Sequence, residues 1–198
     1  MPSPLPPLTR ADVAHLATSI WPRSSAWWER AAAERFAAGA YELIPNRRDD
    51  FIYLPRFWLM QPLRADDDRL ESGDATLLHY FAHGDDDECL HDHPWDFHAE
   101  VLTGAYEEHL PPLDWDERSS LGPAWNARTV MRRPGSSRLV PADQLHCVGR
   151  VEPGTWTIIR TGPRRRRWGF HPEGRLWTDA DEFLGLRRPP APAATATG

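Results

Sequence analysis

The sequence predicts an all-β barrel or sandwich preceded by a short segment of two helices. After about residue 41, short runs rich in aromatic and β-branched residues follow one another at near-regular spacing. Turn signals of Gly, Pro and Asp separate these runs, and no helical period lies between them. Helical spacing is confined to residues 9–40. The 198 residues suit one domain with a helical appendage.

The first predicted helix begins near Thr9. Thr9 and Asp12, three residues apart, resemble a capping box, in which two side chains satisfy backbone N–H groups at a helix start. Val13, Leu16 and Ile20 follow at helical spacing. We therefore expect this stripe to face the core.

A second helix is predicted from Ala26 to about Ala38. Ser24 or Ser25 can cap its start, and Gly39 can end it, because glycine readily adopts the left-handed conformation that follows a helix. The bulky Trp27, Trp28 and Phe36 indicate that this helix packs against something larger.

Seven strands are predicted after the helices, from runs of residues that favour extended backbone. The runs are Phe51–Pro62, Ala75–His83, Asp96–Tyr106, Arg128–Met131, Ser137–Val140, Gln144–Val151 and Thr155–Thr161. We expect residues 1–8 and 186–198 to be disordered tails, residues 9–40 to be the helical segment, and residues 41–185 to be the β-barrel.

Composition restricts the classes of function. Asp and Glu number 29 against 23 basic residues, so the net charge is −6 and no global basic field attracts nucleic acid. No run of about 18 apolar residues predicts a membrane span, and no signal peptide is indicated. Cys89 and Cys147 are too few for a disulfide framework, so we expect a reducing, cytoplasmic setting. All basic residues are Arg, which excludes Schiff-base lysine chemistry and a P-loop lysine.

Histidines are concentrated in one part of the chain. His91-Asp92-His93 on a strand would place both imidazoles on one face, because side chains alternate with period two. Two imidazoles on one face can bind one metal ion. The other members of the cluster are His79, His83 and His98, and His146 follows later.

The frame around these histidines is more specific than the pair itself. From His91 the chain reads His-Asp-His-Pro-Trp-Asp-Phe-His-Ala-Glu-Val-Leu-Thr-Gly, ending at Gly104. A second group follows at Gly135, Pro141, Asp143 and His146. Together they resemble the two sequence motifs of the cupin superfamily over roughly residues 50–170. The stretches at 91–97 and 161–170 also look like small bacterial and phage cupin-like proteins. The resemblance implies a double-stranded β-helix, a jelly-roll barrel with a metal ion in one mouth.

The resemblance also implies a ligand set. The motif histidines fall on His91, His93 and His146, whereas the usual glutamate ligand falls on Phe97, which cannot bind a metal. Asp96 or His98 is then the candidate for a fourth ligand. We expect a divalent ion, with Fe(II) favoured over Zn(II), although imidazole suits several metals.

The function expected from this set is that of a metal-dependent enzyme, foremost an Fe(II) oxygenase acting on a small polar molecule or a peptidyl side chain. Arg160 or Arg56 is expected to orient an anionic group of the substrate. One alternative is a lyase, isomerase or hydrolase that uses Zn(II) or another divalent ion without O₂. The other is a non-catalytic ligand-binding module, which the replacement at Phe97 favours. A homodimer is the expected assembly.

Two competing patterns are weaker. His83-Gly84-Asp85, with His146 and Arg160, has the residue order of the 2-oxoglutarate oxygenases, but such a site would leave His91 and His93 unused. The run Arg164–Arg167 has the charge to contact phosphate, and we interpret it as a solvated turn.

Overall fold

The structure is a computed structural model that describes residues 7–46, 51–60, 74–85, 89–116, 126–172 and 176–185. The C-terminal tail predicted at 186–198 and most of the N-terminal tail lie outside these ranges. Leu8, which the sequence assigned to that first tail, is paired with the sheet: the N–H of Ile52 donates to its carbonyl at 2.7 Å.

The described residues contain three α-helices and twelve strands. The helices are α1 (Arg10–His15), continued by a π-helical turn (Leu16–Ile20) and a 3₁₀ turn (Trp21–Arg23), α2 (Trp27–Ala37) and α3 (Ala180–Phe183). The strands are β1 (Tyr41–Pro45), β2 (Ile52–Met60), β3 (Ala75–Phe81), β4 (Leu90–His91), β5 (Phe97–Thr103), β6 (Tyr106–Leu110), β7 (Arg128–Arg132), β8 (Ser137–Val140), β9 (Cys147–Val151), β10 (Thr155–Thr161), β11 (Gly169–His171) and β12 (Thr178–Asp179).

The first helix begins as predicted. The Thr9 hydroxyl accepts from the Asp12 N–H at 3.2 Å, and the Asp12 carboxylate accepts from the Thr9 N–H at 2.8 Å, which completes the capping box. The predicted apolar stripe is wrong at its end, because Ile20 is half exposed and Trp21 is buried instead. The wider π-helical turn before Trp21 rotates the following residues relative to an α-helical pattern.

The second helix is one residue shorter at each end than predicted. Ala26, not a serine, is its N-cap, and the Ser24 hydroxyl accepts from the Ala26 N–H at 3.1 Å. Gly39 follows the helix with a φ of 70°, as its role at a helix end requires.

The strands form two facing layers. One layer is an antiparallel six-stranded sheet in the order β1-β2-β3-β10-β5-β8. The other consists of two three-stranded sheets, β12-β11-β4 and β7-β6-β9, which are connected by an antiparallel bridge between His91 and His146. This topology, with the helices outside it, confirms the predicted all-β jelly-roll fold class.

The six-stranded sheet has two different faces because its side chains alternate with period two. On the outer face, Phe57, Leu78 and Trp156 pack against Trp21 of the helical segment. On the inner face, Leu54 of β2 packs with residues of the opposite layer. That inner core consists of Leu54, Phe81, Val101, Tyr106 and Val148.

Strand boundaries differ from prediction where the chain turns sharply. The predicted strand Asp96–Tyr106 is divided into β5 and β6 at Gly104, whose φ is 71°. A Cβ at Gly104 would lie 2.2 Å from the Thr155 hydroxyl, so only glycine fits there. The short strands β1, β4, β11 and β12 were not predicted, because their extended form depends on pairing with distant parts of the chain rather than on local composition.

Candidate metal centre

Three histidines converge between the two layers. The ligand nitrogens of His91, His93 and His146 all lie within 4.8 Å of one another. The Nε2 atoms of His93 and His146 are 2.8 Å apart. Two nitrogens that each lie about 2.1 Å from one ion, at angles of 90–109°, are about 3.0–3.4 Å apart. The triad is therefore close to the spacing that a shared metal ion requires.

Backbone pairing holds the triad together. The N–H groups of His91 and His146 each donate to the other residue's carbonyl at 2.9 Å, and the His93 N–H donates to the Ala142 carbonyl at 3.0 Å. The prediction that His91 and His93 share one strand is wrong, because β4 ends at His91. His93 lies in the loop that follows, and its ring nevertheless points to the same cluster as that of His91.

Asp92, between the two histidines, is anchored away from the triad. Its side chain is 2% exposed and accepts from the Gly169 N–H at 2.7 Å and from Trp177 Nε1 at 3.0 Å. Arg166 pairs with it at 2.9 Å. Burial raises the pKa of Asp92, while these partners lower it. The segment from His91 to His93 is thus attached to β11 through a buried carboxylate.

Glu108 performs the corresponding role for His146. It is fully buried on β6 and accepts from His146 Nδ1 at 2.7 Å and from Arg132 at 2.7 Å, and it also pairs with Arg138. Because an ionised carboxylate only accepts, Nδ1 carries the proton, and the lone pair of His146 is on Nε2, the atom that faces His93.

Sequence reasoning missed Glu108. A signal is present in hindsight: Glu108 lies between the buried Tyr106 and Leu110 at alternating positions of β6, so it occupies an inward site in a period-two pattern. A carboxylate at such a position requires buried partners.

The electrostatic environment keeps His93 and His146 neutral. Burial lowers the pKa of His93 well below its usual value, and the neighbouring His146, His91, Arg56 and His79 lower it further. Burial also lowers the pKa of His146 to about 4, with Asp85 opposing the shift. Neutral imidazole is the form that binds metal ions, so the donor chemistry fits a divalent ion at neutral pH.

Phe97 forms an apolar wall at the position where the resemblance places a glutamate. Its ring centroid is 4.7 Å from that of His93 and 6.1 Å from that of His146. No carboxylate joins His91, His93 and His146 as a fourth ligand among the described residues.

The two predicted alternatives for a fourth ligand lie elsewhere. The Asp96 carboxylate accepts from the Ala142 N–H at 2.9 Å and pairs with Arg165 at 2.8 Å. His98 alternates with the inward-facing Phe97, and its Nε2 lies 2.8 Å from the Ser137 hydroxyl. The structure does not bring either side chain to the triad.

The two predicted arginines lie on opposite faces of the six-stranded sheet. Arg160 is on the outer face, 51% exposed and 3.9 Å from Glu100, so the structure does not bring it to the triad. Arg56 is on the inner face, in register with His79 of β3. Its charge lowers the pKa of His93, as expected of a group in the same interior.

The two competing sequence patterns, His83-Gly84-Asp85 and Arg164–Arg167, do not form a binding site among the described residues. His83 Nδ1 is 2.9 Å from the Gly84 carbonyl, and the Asp85 carboxylate accepts from the Val148 N–H at 2.7 Å, so these side chains serve local structure. Within the run Arg164–Arg167, three of the four arginines pair with carboxylates. These pairs are Arg165 with Asp96, Arg166 with Asp92 and Arg167 with Asp179.

Comparisons with known proteins assign no family to the chain. No protein-family model and no curated protein matches the chain. Among solved structures, hydroxypropylphosphonic acid epoxidase from S. wedmorenis is 14% identical with a TM-score of 0.41, over 63% of this chain and 56% of that one. KdgF from Halomonas sp. is 20% identical with a TM-score of 0.35, over 57% of this chain and 82% of that one. An uncharacterized protein with a double-stranded β-helix domain from Klebsiella pneumoniae is 13% identical with a TM-score of 0.38, over 60% of this chain and 84% of that one.

The chain thus spans little more than half the length of the epoxidase. Among the helices that the structure describes, none has the length and apolar character needed to cross a membrane.

Proposed function

We propose that the protein is a metal-dependent cupin enzyme in which His91, His93 and His146 hold a divalent ion. The observation that carries this proposal is the convergence of three imidazoles, one of them oriented by a buried carboxylate. A histidine whose second nitrogen donates to a carboxylate is the usual arrangement of a metal-ligating histidine.

Within this proposal we favour Fe(II) over Zn(II) and an oxygenase acting on a small polar molecule or a peptidyl side chain. When bound by three protein ligands, Fe(II) supplies open coordination positions and the redox chemistry that oxygenation requires. The residues of the chain hold and orient the ligands. Glu108 keeps the proton on Nδ1 of His146, Asp92 holds the segment from His91 to His93, and Phe97 packs an apolar ring against His93.

Metal analysis tests the proposal. The full-length protein, purified without a His tag, is loaded anaerobically with Fe(II) or Zn(II), and bound metal is measured after removal of the excess. We expect about one equivalent in the parent and loss of binding in His93→Ala and His146→Ala. His98→Ala is the matched control, because His98 is a histidine of the next strand that lies outside the triad.

The variants separate the possible outcomes. A parent that binds neither metal contradicts the enzyme proposal and favours a non-catalytic binding module. Equal loss in His98→Ala contradicts the ligand assignment. Once Fe(II) binding is established, O₂ uptake in the presence of candidate substrates supports the oxygenase, whereas turnover with Zn(II) and without O₂ supports the Lewis-acid alternative.

A further inference from the structure

Two arginines from different sheets contact one buried carboxylate. Glu108 of β6 is fully buried, and its carboxylate pairs with Arg132 of β7 and with Arg138 of β8. The two arginine side chains are 21% and 18% exposed. One cation is enough to neutralise one carboxylate, so the second arginine requires a separate explanation.

The two oxygens of Glu108 have different partners. Oε2 accepts from Arg132 Nε at 2.7 Å and lies 2.7 Å from Arg132 Nη2, so one guanidinium holds it through two nitrogens. Oε1 accepts from Nδ1 of His146 at 2.7 Å and also from Nη2 of Arg138. Arg138 and His146 therefore share one oxygen, while Arg132 is bound to the other.

Arg138 leaves one N–H without a partner. Its Nε is buried and has no hydrogen-bond partner among the described residues. A buried N–H that is not hydrogen-bonded is unfavourable. Arg132, by contrast, directs its Nε to Glu108. Arg138 thus adds less to the hydrogen bonding of the interior than Arg132 does, although both carry the same charge.

Sharing an oxygen weakens the hydrogen bond that His146 donates. A cationic N–H that donates to Oε1 draws electron density from that atom, so Oε1 is a weaker acceptor for a second donor. A histidine that donates strongly to a carboxylate through one nitrogen is a more basic metal ligand through the other. The other nitrogen of His146, Nε2, lies 2.8 Å from Nε2 of His93, on the side where the ion is proposed. Arg138 is therefore placed to reduce the strength of His146 as a ligand.

We infer that Arg138 is a positioning residue that acts through Glu108 and lowers the affinity of the triad for its ion. The inference rests on the proposed function, because the triad must hold an ion. Arg132 has a different role, since it fixes the orientation of the carboxylate through Oε2. One arginine thus holds the orienting carboxylate, and the other limits how strongly that carboxylate acts on His146.

The zinc affinity of full-length variants tests this inference. Zn(II) binding by the parent, Arg138→Met and Arg132→Met is measured by competition with a chromophoric chelator. Arg138→Met should bind zinc about threefold more tightly or better, because Oε1 then accepts from His146 alone. Arg132→Met should bind zinc no more tightly than the parent, because the carboxylate loses its anchor. Each variant removes one positive charge beside Glu108, so the difference between them measures the shared oxygen rather than the charge.

A second readout reports the hydrogen bond itself. In the zinc-loaded, isotope-labelled protein, the Nδ1 proton of His146 should resonate further downfield in Arg138→Met than in the parent, because a stronger hydrogen bond deshields the proton. Arg138→Lys keeps the charge and an N–H donor, so it should restore the affinity and the chemical shift of the parent. Arg138→Gln replaces Arg138→Met if the latter does not fold.

Arg150→Gln is the matched control. Arg150 pairs with Glu107, which alternates with Glu108 along β6, and its side chain is 66% exposed. Its removal should change neither the zinc affinity nor the resonance of His146.

Each outcome bears on the inference. Tighter binding and a downfield shift in Arg138→Met alone support it. Zinc binding by Arg138→Met that equals or falls below that of the parent overturns it, while one equivalent of zinc in the parent leaves the metal site intact. Equal tightening by Arg132→Met or Arg150→Gln also overturns it, because the loss of a positive charge would then explain the effect. A parent that binds no zinc overturns the proposed function together with the inference, and metal analysis shows that outcome separately.

Discussion

The two faces of the six-stranded sheet are made by the same strands and differ in their side chains. On the outer face Trp156, Phe57 and Tyr80 surround Trp21, with ring centroids 5.0–6.0 Å apart in edge-on and tilted contacts. On the inner face, alternate positions of the same strands carry Arg56 and Thr157. Neighbouring residues in the sequence thus lie on opposite faces of the sheet, one in the aromatic cluster and the next toward the opposite layer.

The two faces of the sheet differ in how much they contribute to stability. The helical segment covers the outer face, and the apolar contacts there stabilise the sheet. The inner face has an apolar core of its own and also carries polar side chains. Substitutions on either side of the sheet test this difference.

The largest effect is expected on the outer face, in Trp156→Ala. Trp156 is fully buried in the aromatic cluster, so its removal should lower the free energy of unfolding by about 3–5 kcal/mol. Urea denaturation followed by circular dichroism measures the change. The molecules that remain folded should bind metal as the parent does. A loss below about 1 kcal/mol would show that the helices do not stabilise the sheet.

The second largest effect is expected in Glu108→Gln, because Glu108 faces the interior and also stabilises the fold. Gln cannot neutralise Arg132 and Arg138, so we expect a loss of about 3 kcal/mol in the free energy of unfolding. Gln also orients His146 less well, and metal affinity should fall about 10–100-fold. Glu107→Gln is the control, since Glu107 pairs with the exposed Arg150. Unchanged metal affinity in Glu108→Gln would contradict the orienting role.

Acid should destabilise the metal-free protein through the inner face. The pKa of His79 is lower in the folded protein than in the unfolded chain, so below about pH 6.5 the unfolded chain binds more protons. The contribution of His79 to stability is therefore complete above pH 6.5 and is lost as the pH falls toward its folded value. Urea denaturation at pH 7 and at pH 5 should show a smaller difference in His79→Asn than in the parent. His93 and His146 have the same sign and remain in both proteins.

The smallest effect on the free energy of unfolding is expected in Thr157→Val. In Thr157→Val a methyl group replaces a buried hydroxyl that lacks a partner in the described residues, so the free energy of unfolding should rise by up to about 1 kcal/mol. Thr155→Val is the contrast: its hydroxyl is fully hydrogen-bonded, and the same change should destabilise by about 1–3 kcal/mol. Equal losses in both variants, measured by urea denaturation, would mean that Thr157 has a structural partner.

Much of the fold and the centre of the site could be predicted from local patterns. The strand Thr155–Thr161 and the capping box at Thr9 depend on neighbouring residues, and the structure contains both. His91, His93 and His146 could be grouped because their spacing belongs to a recurring pair of motifs, and the structure brings them together. Asp96 and His98 were candidates by proximity in sequence alone, and they make other contacts.

Local composition and alternation determined the longer extended segments, and the motif spacing determined which histidines can meet, whereas the short strands β1, β4, β11 and β12 depend on pairing with distant parts of the chain. Only the tertiary structure decided which side of each strand faces the interior. Arg56 and Arg160 both lie in strands of one sheet, and register together with the helices on one face puts Arg56 inside and Arg160 outside. Glu108 depends likewise on Arg132, Arg138 and His146, which come from other segments of the chain. Local sequence cannot specify such partners, because long-range strand pairing brings them together.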